Sequence, residues 1–361
     1  MVIKAEVLIV GGGFAGVSVA QALERHGLHT ILVDKKDYFE VTFATLRNVT
    51  DPSSTGNQAR KYYRDFFYGR FIQGDVMEMS VKSARLADGT ELHFNSAILA
   101  SGTRYPSMPM AKSLCAMDIQ SRNQELLNEH QRLKQARKVM VIGGGVVGVE
   151  LAGEIAHAIP RTQVILAHNK EVLLDNFKPK AQIKAQKQLE NLGVEIQFNS
   201  RYQYQNGCYI DLNSGQASDA DLVFEATGVL PNNDYLKPHL AHILNERGFV
   251  KVDNRLQVID EPSLYALGDI ADIGEAKLGY LASQQGEYLA KAIARNRKGK
   301  STKSYKRNPL MALVPIGQKQ GLVQLPFAVT TCNRLVRLKQ KDLFINKVYR
   351  GFGTQPNARL S

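Results

Sequence analysis

The chain runs to 361 residues, 44% hydrophobic and 22% charged, an ordinary balance for a globular protein of two or three domains with substantial cores. Its formal charge of +12 is unevenly placed: residues 295–361 hold fifteen Lys and Arg against Asp342 alone, or +14, so residues 1–294 carry −2. No apolar run approaches the roughly 18 residues of a membrane span, and three widely spaced cysteines, Cys115, Cys208 and Cys332, exclude a disulfide framework.

The first apolar run, Val7-Leu-Ile-Val10, has the length of a buried parallel strand and ends in Gly11-x-Gly13-x-x-Gly16, ahead of a helix over 17–25. This order predicts a dinucleotide cradle. Gly11 permits the tight turn, Gly13 lets backbone approach a pyrophosphate, and Gly16 lets the helix pack closely on the strand. The phosphates then sit at the helix N-terminus beside Phe14 and Ala15, where unpaired N–H groups favour anions. A second strand, Thr30-Ile-Leu-Val33, ends in Asp34, a carboxylate suited to a ribose 2′-hydroxyl, with Lys35 next to it.

Residues 35–47 form an aromatic and polar passage from the ribose toward a ring system, ending at Arg47. Residues 71–76 read as a strand whose backbone from Gly74 to Val76 can meet an adenine edge. Asp88-Gly89 joins two strands of a hairpin, and the second of them leads into Ala100-Ser101-Gly102.

After a helix over 120–135 the opening design repeats. Val139-Met-Val-Ile142 enters Gly143-x-Gly145-x-x-Gly148, with Val146 in the turn, followed by a helix over 149–157 and a strand over 163–168. Two such fingerprints predict a protein that holds two dinucleotides. The second unit ends in His168-Asn169-Lys170, with no carboxylate: either a 2′-phosphate is tolerated there, or these side chains simply face solvent.

A helix over 179–192 and strands over 194–198, 209–212 and 222–228 continue this sheet region, and Ala226-Thr227-Gly228 echoes Ala100-Ser101-Gly102. Strands over 249–252 and 263–269 and a helix over 278–295 follow, then a basic linker over 297–307. His239 and His242 have no carboxylate or thiolate nearby in sequence, so no metal site is expected. The cysteines read as small buried apolar side chains.

Together these residues resemble the two-dinucleotide-binding-domain flavoprotein family: α/β proteins with two Rossmann-like, glutathione-reductase-like domains, here with a small basic C-terminal α+β region. The resemblance implies FAD on Gly11, Gly13, Gly16 and Asp34, with Asp269 of Tyr265-Ala-Leu-Gly268-Asp269 at the flavin's ribityl and pyrophosphate part. It implies NADH or NADPH on Gly143, Gly145 and Gly148, with Glu150 near the nicotinamide. Val76, Ala100, Gly102, Thr227 and Gly228 would flank the two cofactors. Disulfide-reducing members carry a cysteine pair soon after the first acid, and residues 38–50 contain none.

Ala282-Ser-Gln-Gln285-Gly286 looks like the flavin and quinone side of type II NADH dehydrogenases. Phe43-Ala-Thr-Leu-Arg47, His168, Lys277-Leu278-Gly-Tyr280-Leu281 and residues 335–344 look like the ferroptosis-suppressor branch, also called apoptosis-inducing-factor-like and mitochondrion-associated, whose members reduce coenzyme-Q-like quinones at membranes. By that resemblance Glu150, Lys277 and Gln285 serve the reaction, and Leu278, Tyr280 and Leu281 line the flavin ring or the acceptor entrance. Arg47 would counter charge on reduced flavin or form a surface salt bridge. The expected function is FAD-dependent NAD(P)H:quinone oxidoreduction; the alternatives are reduction of a ferredoxin- or rubredoxin-type carrier, or a flavoprotein whose basic tail binds nucleic acid.

The expected domains are 1–108 with 248–295 for FAD, 109–247 for NAD(P)H, and a C-terminal region over 296–361. Monomer and homodimer both fit. A strand so close to Met1 leaves no room for a signal peptide, and Val2 stands where N-myristoylation needs glycine. A cytoplasmic, peripheral membrane protein is therefore expected, with Arg334, Arg337, Lys339 and Lys341 drawing the tail to anionic lipid.

Overall fold

A computed structural model describes residues 1–358; Arg359, the last basic residue counted above, lies outside them. In chain order, β1 (Val2–Val10), α1 (Phe14–Arg25) and β2 (Thr30–Asp34) are followed by α2 (Thr45–Thr50) and β3 (Arg70–Gln73). Then come β4 (Val76–Met79), β5 (Ser83–Leu86), β6 (Glu91–Leu99) and the short β7 (Thr103–Arg104). The second unit holds α3 (Ile119–Gln135), β8 (Lys138–Ile142), α4 (Val146–Ala158), β9 (Gln163–Ala167), α5 (Pro179–Asn191), β10 (Glu195–Gln197) and β11 (Leu222–Glu225). The chain returns through β12 (Leu230–Pro231), β13 (Gln257–Val258), β14 (Glu261–Ala266) and α6 (Gly279–Arg297). It ends in β15 (Ala312–Ile316), β16 (Gln320–Gln324), β17 (Val329–Thr330), α7 (Asn333–Gln340) and α8 (Ile345–Gly351).

The first sheet has the order β13-β14-β6-β1-β2-β3, with β4 and β5 attached as a hairpin beside β6. In it β1 lies parallel to β2 and β6, with Val7 opposite Thr30 and Ser96. Strands covered on both faces should read as continuous apolar runs, and Val7 to Val10 are all buried. Helices α1 and α6 cover this sheet. A Cβ on Gly286 would fall 2.9 Å from both Ser18 Cβ and Val19 N, so this glycine sets how closely the two helices cross.

The second sheet, β10-β9-β8-β11, is wholly parallel. The two units are joined where β7 pairs with β12. Tyr235, Leu236, Leu240 and Ile243 then pack into the first core. The return crossing thus lies near residue 231 rather than 247, because residues 234–243 present an apolar face to the first sheet. In the other direction, Leu46 and Val49 of α2 and Met108 and Met110 belong to the second core.

Two strand expectations are corrected. The run over 71–76 breaks at Gly74, whose N–H donates to Asp34 O at 2.9 Å, and Val76 opens the hairpin instead. Residues 208–211 do not extend the parallel sheet; they pair with 202–205, and Ile210 also bridges Ala217. The cysteines are also not buried: Cys115 and Cys332 are exposed and Cys208 is half-buried.

The basic C-terminal region is built onto both units. The antiparallel sheet β15-β16-β17 sends Val314, Ile316, Leu322 and Val329 into the second core, against α4. There a Cβ on Gly153 would lie 2.8 Å from Gly317 N. Ile345, Tyr349 and Phe352 of the last segment enter the first core, where Phe352 meets the Phe39 ring edge-on at 5.1 Å.

Candidate active site

The two glycine turns are built alike. Gly11 N–H donates to Val33 O and Gly143 N–H to Ala167 O, both at 2.8 Å. A Cβ on Gly11 would stand 2.4 Å from Ala100 O, and one on Gly143 2.5 Å from Ala226 O. Both glycines have positive φ, +104° and +120°, so close approach and backbone conformation each require glycine. Gly16 and Gly148 repeat the closeness, since a Cβ would fall 1.8 Å from the carbonyl oxygens of Gly11 and Gly143.

Gly13 and Gly145 differ from these: a Cβ on either would meet nothing within 4 Å. Each begins a helix that no side chain caps. The result is an open space at a helix N-terminus with unspent N–H donors, the form that a pyrophosphate fills. The residues fit two dinucleotides.

The acid of the first cradle does structural work. Asp34 accepts the Gly12 N–H at 2.6 Å and the Lys36 N–H at 2.8 Å. Burial pushes its carboxyl above the ordinary range, against the pull of those two bonds. In the second cradle His168 takes the same post, with Nδ1 accepting the Gly144 N–H at 3.1 Å. Burial lowers the His168 pKa, so the ring is neutral at neutral pH and can accept, holding the turn without the negative charge of an aspartate.

Gly268 and Asp269 follow β14. Asp269 Oδ2 accepts from Thr103 Oγ1 at 3.0 Å and Lys112 Nζ at 2.9 Å. Burial alone would raise this carboxyl, yet Lys112 and Lys277 nearby hold it below its ordinary value. Lys277 Nζ donates to the Asp269 carbonyl at 2.6 Å and lies 4.3 Å from the centre of the Phe249 ring. Gln285 is buried and accepts the Gly268 N–H on Oε1 at 2.8 Å. Lys277 and Gln285 are thus gathered with Leu278 around one small recess at the Gly268-Asp269 turn. Leu281 is buried in α6, and Tyr280 is exposed with its OH donating to Met311 O at 3.3 Å.

Glu150, in the first turns of α4, is buried and receives Lys339 Nζ at 3.3 Å. Burial raises its carboxyl, opposed by Lys339. Burial first, then the charges of Asp269 and Glu150, push the Tyr105 hydroxyl up to about 12, and Lys112 Nζ lies 5.9 Å from the centre of its ring. Phe14 and Phe43 stack with centroids 5.6 Å apart, and Lys339 Nζ lies 5.9 Å from the Phe43 ring centre. The cleft between the units therefore gathers Asp269, Lys112, Tyr105, Glu150, Lys339 and the Phe14–Phe43 pair.

Two expectations change here. Arg47 forms no surface pair: buried, it meets Glu154 Oε1 at 2.6 Å and also donates to the Gln340 backbone carbonyl at 3.0 Å. Its charge is spent on α4, one turn after Glu150. Lys339, expected at a lipid surface, is buried because Glu150 and the Leu313 carbonyl, at 2.8 Å, hold its ammonium. Away from the cleft, His239 and His242 do have acidic neighbours: Glu78 at 3.8 Å and Glu261 at 3.0 Å.

Sequence reasoning missed Thr103, Tyr105 and Lys112 and set Lys339 at the lipid surface instead of in this cleft. Thr103 directly follows Gly102, and a polar residue there was a usable signal. The other three are brought in by tertiary folding alone.

The family model described as "Pyridine nucleotide-disulphide oxidoreductase" matches residues 5–286. Ferroptosis suppressor protein 1 of Xenopus tropicalis is 31% identical over 96% of this chain and 96% of its own length. Apoptosis-inducing factor homolog B of Dictyostelium discoideum is 28% identical over 95% and 96%. The structure of NDH2 from Plasmodium falciparum in complex with NADH superposes with a TM-score of 0.77 at 16% identity, covering 97% of this chain and 96% of that one. The paired cradles and the chain-long relatives agree, and the chain belongs to the pyridine nucleotide-disulphide oxidoreductase family.

Proposed function

We propose that this flavin-dependent oxidoreductase oxidises NADH or NADPH and reduces a quinone, the reading that its likeness to ferroptosis suppressor protein 1 and NDH2 supports. FAD would be held by Gly11, Gly13, Gly16, Asp34 and Asp269, and NAD(P)H by Gly143, Gly145, Gly148 and Glu150. Bound there, the flavin would supply the redox chemistry, two-electron acceptance from NAD(P)H and donation to an acceptor.

The chain's own part is position and charge. Lys112 and Thr103 fix the Asp269 carboxylate, leaving its other oxygen for a ligand. Lys339 holds Glu150 so that its carboxylate is aimed and charge-balanced in a buried cleft, where an uncompensated charge would be costly. Phe14, Phe43 and Tyr105 exclude water around the meeting point. The observation that carries the reading is the pairing of Lys112 with Asp269 and of Lys339 with Glu150, beside the Tyr105 and Phe43 rings, in a cleft that receives no cysteine. Without a thiolate there, electrons must leave for an acceptor other than a bound disulfide.

The finer reading is a peripheral attachment to an anionic membrane, where a long-tailed quinone resides. Exposed Phe327 in the turn between β16 and β17, and exposed Leu335 and Leu338 on the same short helix as exposed Arg334 and Arg337, support it. No helix among the described residues is long and apolar enough to cross a membrane.

The test is anaerobic spectroscopy on the purified holoprotein. NADH or NADPH should bleach the flavin band, and a soluble quinone should restore it. Bleaching that a quinone does not reverse would refute the acceptor class, and absence of bleaching would refute the whole reading.

A further inference from the structure

Glu275 lies between the Gly268-Asp269 turn and α6, and its carboxylate gathers an unusual set of donors. Oε2 accepts from Gln285 Nε2 and from Tyr305 OH, each at 2.8 Å. Oε1 accepts from the backbone N–H of Asn308 and, at 3.4 Å, from its side-chain amide. Among the described residues Glu275 forms no ion pair, and the Gln285, Tyr305 and Asn308 groups that donate to its carboxylate are all neutral. Hydrogen bonds to an ionised acceptor are about twice as strong as neutral ones.

The arrangement has a direction. A carboxylate only accepts, so Gln285 must turn its Nε2 toward Glu275 and its Oε1 toward Gly268, whose N–H it receives at 2.8 Å. Gly268 has φ +73°, and a Cβ on it would fall 2.9 Å from Ala15 Cβ at the start of α1. The peptide that Gln285 holds is therefore pressed against the first cradle. On the other side, Tyr305 and Asn308 belong to the extended segment 298–311 that joins α6 to β15. Its Tyr305 N–H donates to Asn254 O at 2.8 Å, and the Tyr305 ring meets that of Tyr288 edge-on at 5.1 Å. The same segment runs on to Leu313, whose carbonyl receives Lys339.

We propose that Glu275 is a positioning residue through which segment 298–311 latches the FAD site: Tyr305 and Asn308 orient Glu275, Glu275 orients Gln285, and Gln285 holds the Gly268-Asp269 turn against the flavin dinucleotide. FAD retention then depends on how the connection to the C-terminal region is seated. This rests on the reading that Asp269 faces FAD. No bond is made or broken; the coupling is a chain of hydrogen bonds with fixed polarity.

The experiment measures FAD release from full-length holoprotein after dilution, by the rise in flavin fluorescence, for Tyr305→Phe, Gln285→Leu and their combination. Tyr305→Phe deletes one hydroxyl and should speed release about fivefold, the scale of one hydrogen bond to a charged acceptor partly transmitted. In the Gln285→Leu background the same change should alter release by less than about twofold, since the link to Gly268 is already cut. A general loss of packing would give equal effects in both backgrounds, and that outcome overturns the relay. Asp269→Asn separates the two levels. If it speeds release while Tyr305→Phe and Glu275→Gln do not, the relay is wrong and the flavin placement stands; if Asp269→Asn changes nothing, the placement itself is wrong and the relay falls with it.

Discussion

Lys339 Nζ lies 3.3 Å from Glu150 Oε1 across 189 residues of sequence, both side chains nearly out of solvent. The C-terminal region thereby balances the carboxylate expected beside the nicotinamide. Because burial raises Glu150 above its ordinary value of 4.5, the folded chain keeps that proton to higher pH than the unfolded chain. Its contribution to stability therefore falls as pH rises from the ordinary value through the raised one. Lys339 limits this loss. Lys339→Met should lower stability by about 3 kcal/mol at neutral pH, the scale of a broken buried pair. The difference should shrink below the ordinary carboxylate range, where Glu150 is protonated in both states. Thermal unfolding of the two proteins from acid to neutral pH checks it, and a difference that grows toward acid would contradict the assignment.

Gly13 and Gly16 should respond oppositely to the same substitution. Gly13→Val places its side chain in open space, so the protein should fold, remain soluble and purify colourless, with the Tm of native protein stripped of FAD. Gly16→Val drives a Cβ to 1.8 Å from Gly11 O, and a backbone oxygen cannot yield as a flexible side chain does. That variant should fail to accumulate as soluble protein. Full flavin absorbance in Gly13→Val would remove the pyrophosphate from this site.

His168 and Asp34 occupy equivalent posts, accepting the N–H of Gly144 and of Gly12 in their glycine turns. His168→Asp should keep that bond, since the carboxylate accepts as the neutral imidazole does, while adding a charge that repels a 2′-phosphate and suits a 2′-hydroxyl. The ratio of kcat/KM for NADH over NADPH should rise about tenfold, or roughly 1.4 kcal/mol of discrimination. An unchanged ratio would show that position 168 holds only the turn.

Both cradles were legible because each is a local pattern in which strand, three glycines and helix stand consecutively, and because backbone contacts at Gly11, Gly16, Gly143 and Gly148 leave no room for a side chain. Gly268-Asp269 was legible only through resemblance. Lys112, Tyr105 and Lys339 were not, since long-range pairing leaves no periodic trace. The surface reading of Arg47 and the lipid reading of Lys339 failed for one reason: a charged side chain looks exposed in sequence, and only the fold shows it buried against Glu154 or Glu150. The cysteines erred the other way, small side chains that the fold leaves outside. Gly286, singled out as part of a motif on the quinone side, sits where α1 and α6 cross.

The C-terminal surface carries the membrane prediction in a form altered by the burial of Lys339. Phe327 is 98% exposed in the turn between β16 and β17, and Leu338 is 62% exposed on α7. Arg334, Arg337 and Lys341, all exposed, accompany them. An apolar group at this exposure gains little in water and can enter an acyl layer, while each basic residue near an anionic surface contributes about 1 kcal/mol. Changing Arg334, Arg337 and Lys341 to Gln should therefore weaken binding to anionic vesicles about 100-fold, as 3 × ~1 kcal/mol implies. It should leave binding to neutral vesicles untouched. Phe327→Ser should weaken both, and neither change should alter NAD(P)H oxidation with a water-soluble quinone, because none of these side chains lies in the cleft. Co-sedimentation with neutral and anionic vesicles at low and high salt is the measurement. Binding unaffected by salt and by the three Gln substitutions would remove the electrostatic part, and no binding by the native chain would remove the membrane from the proposal altogether.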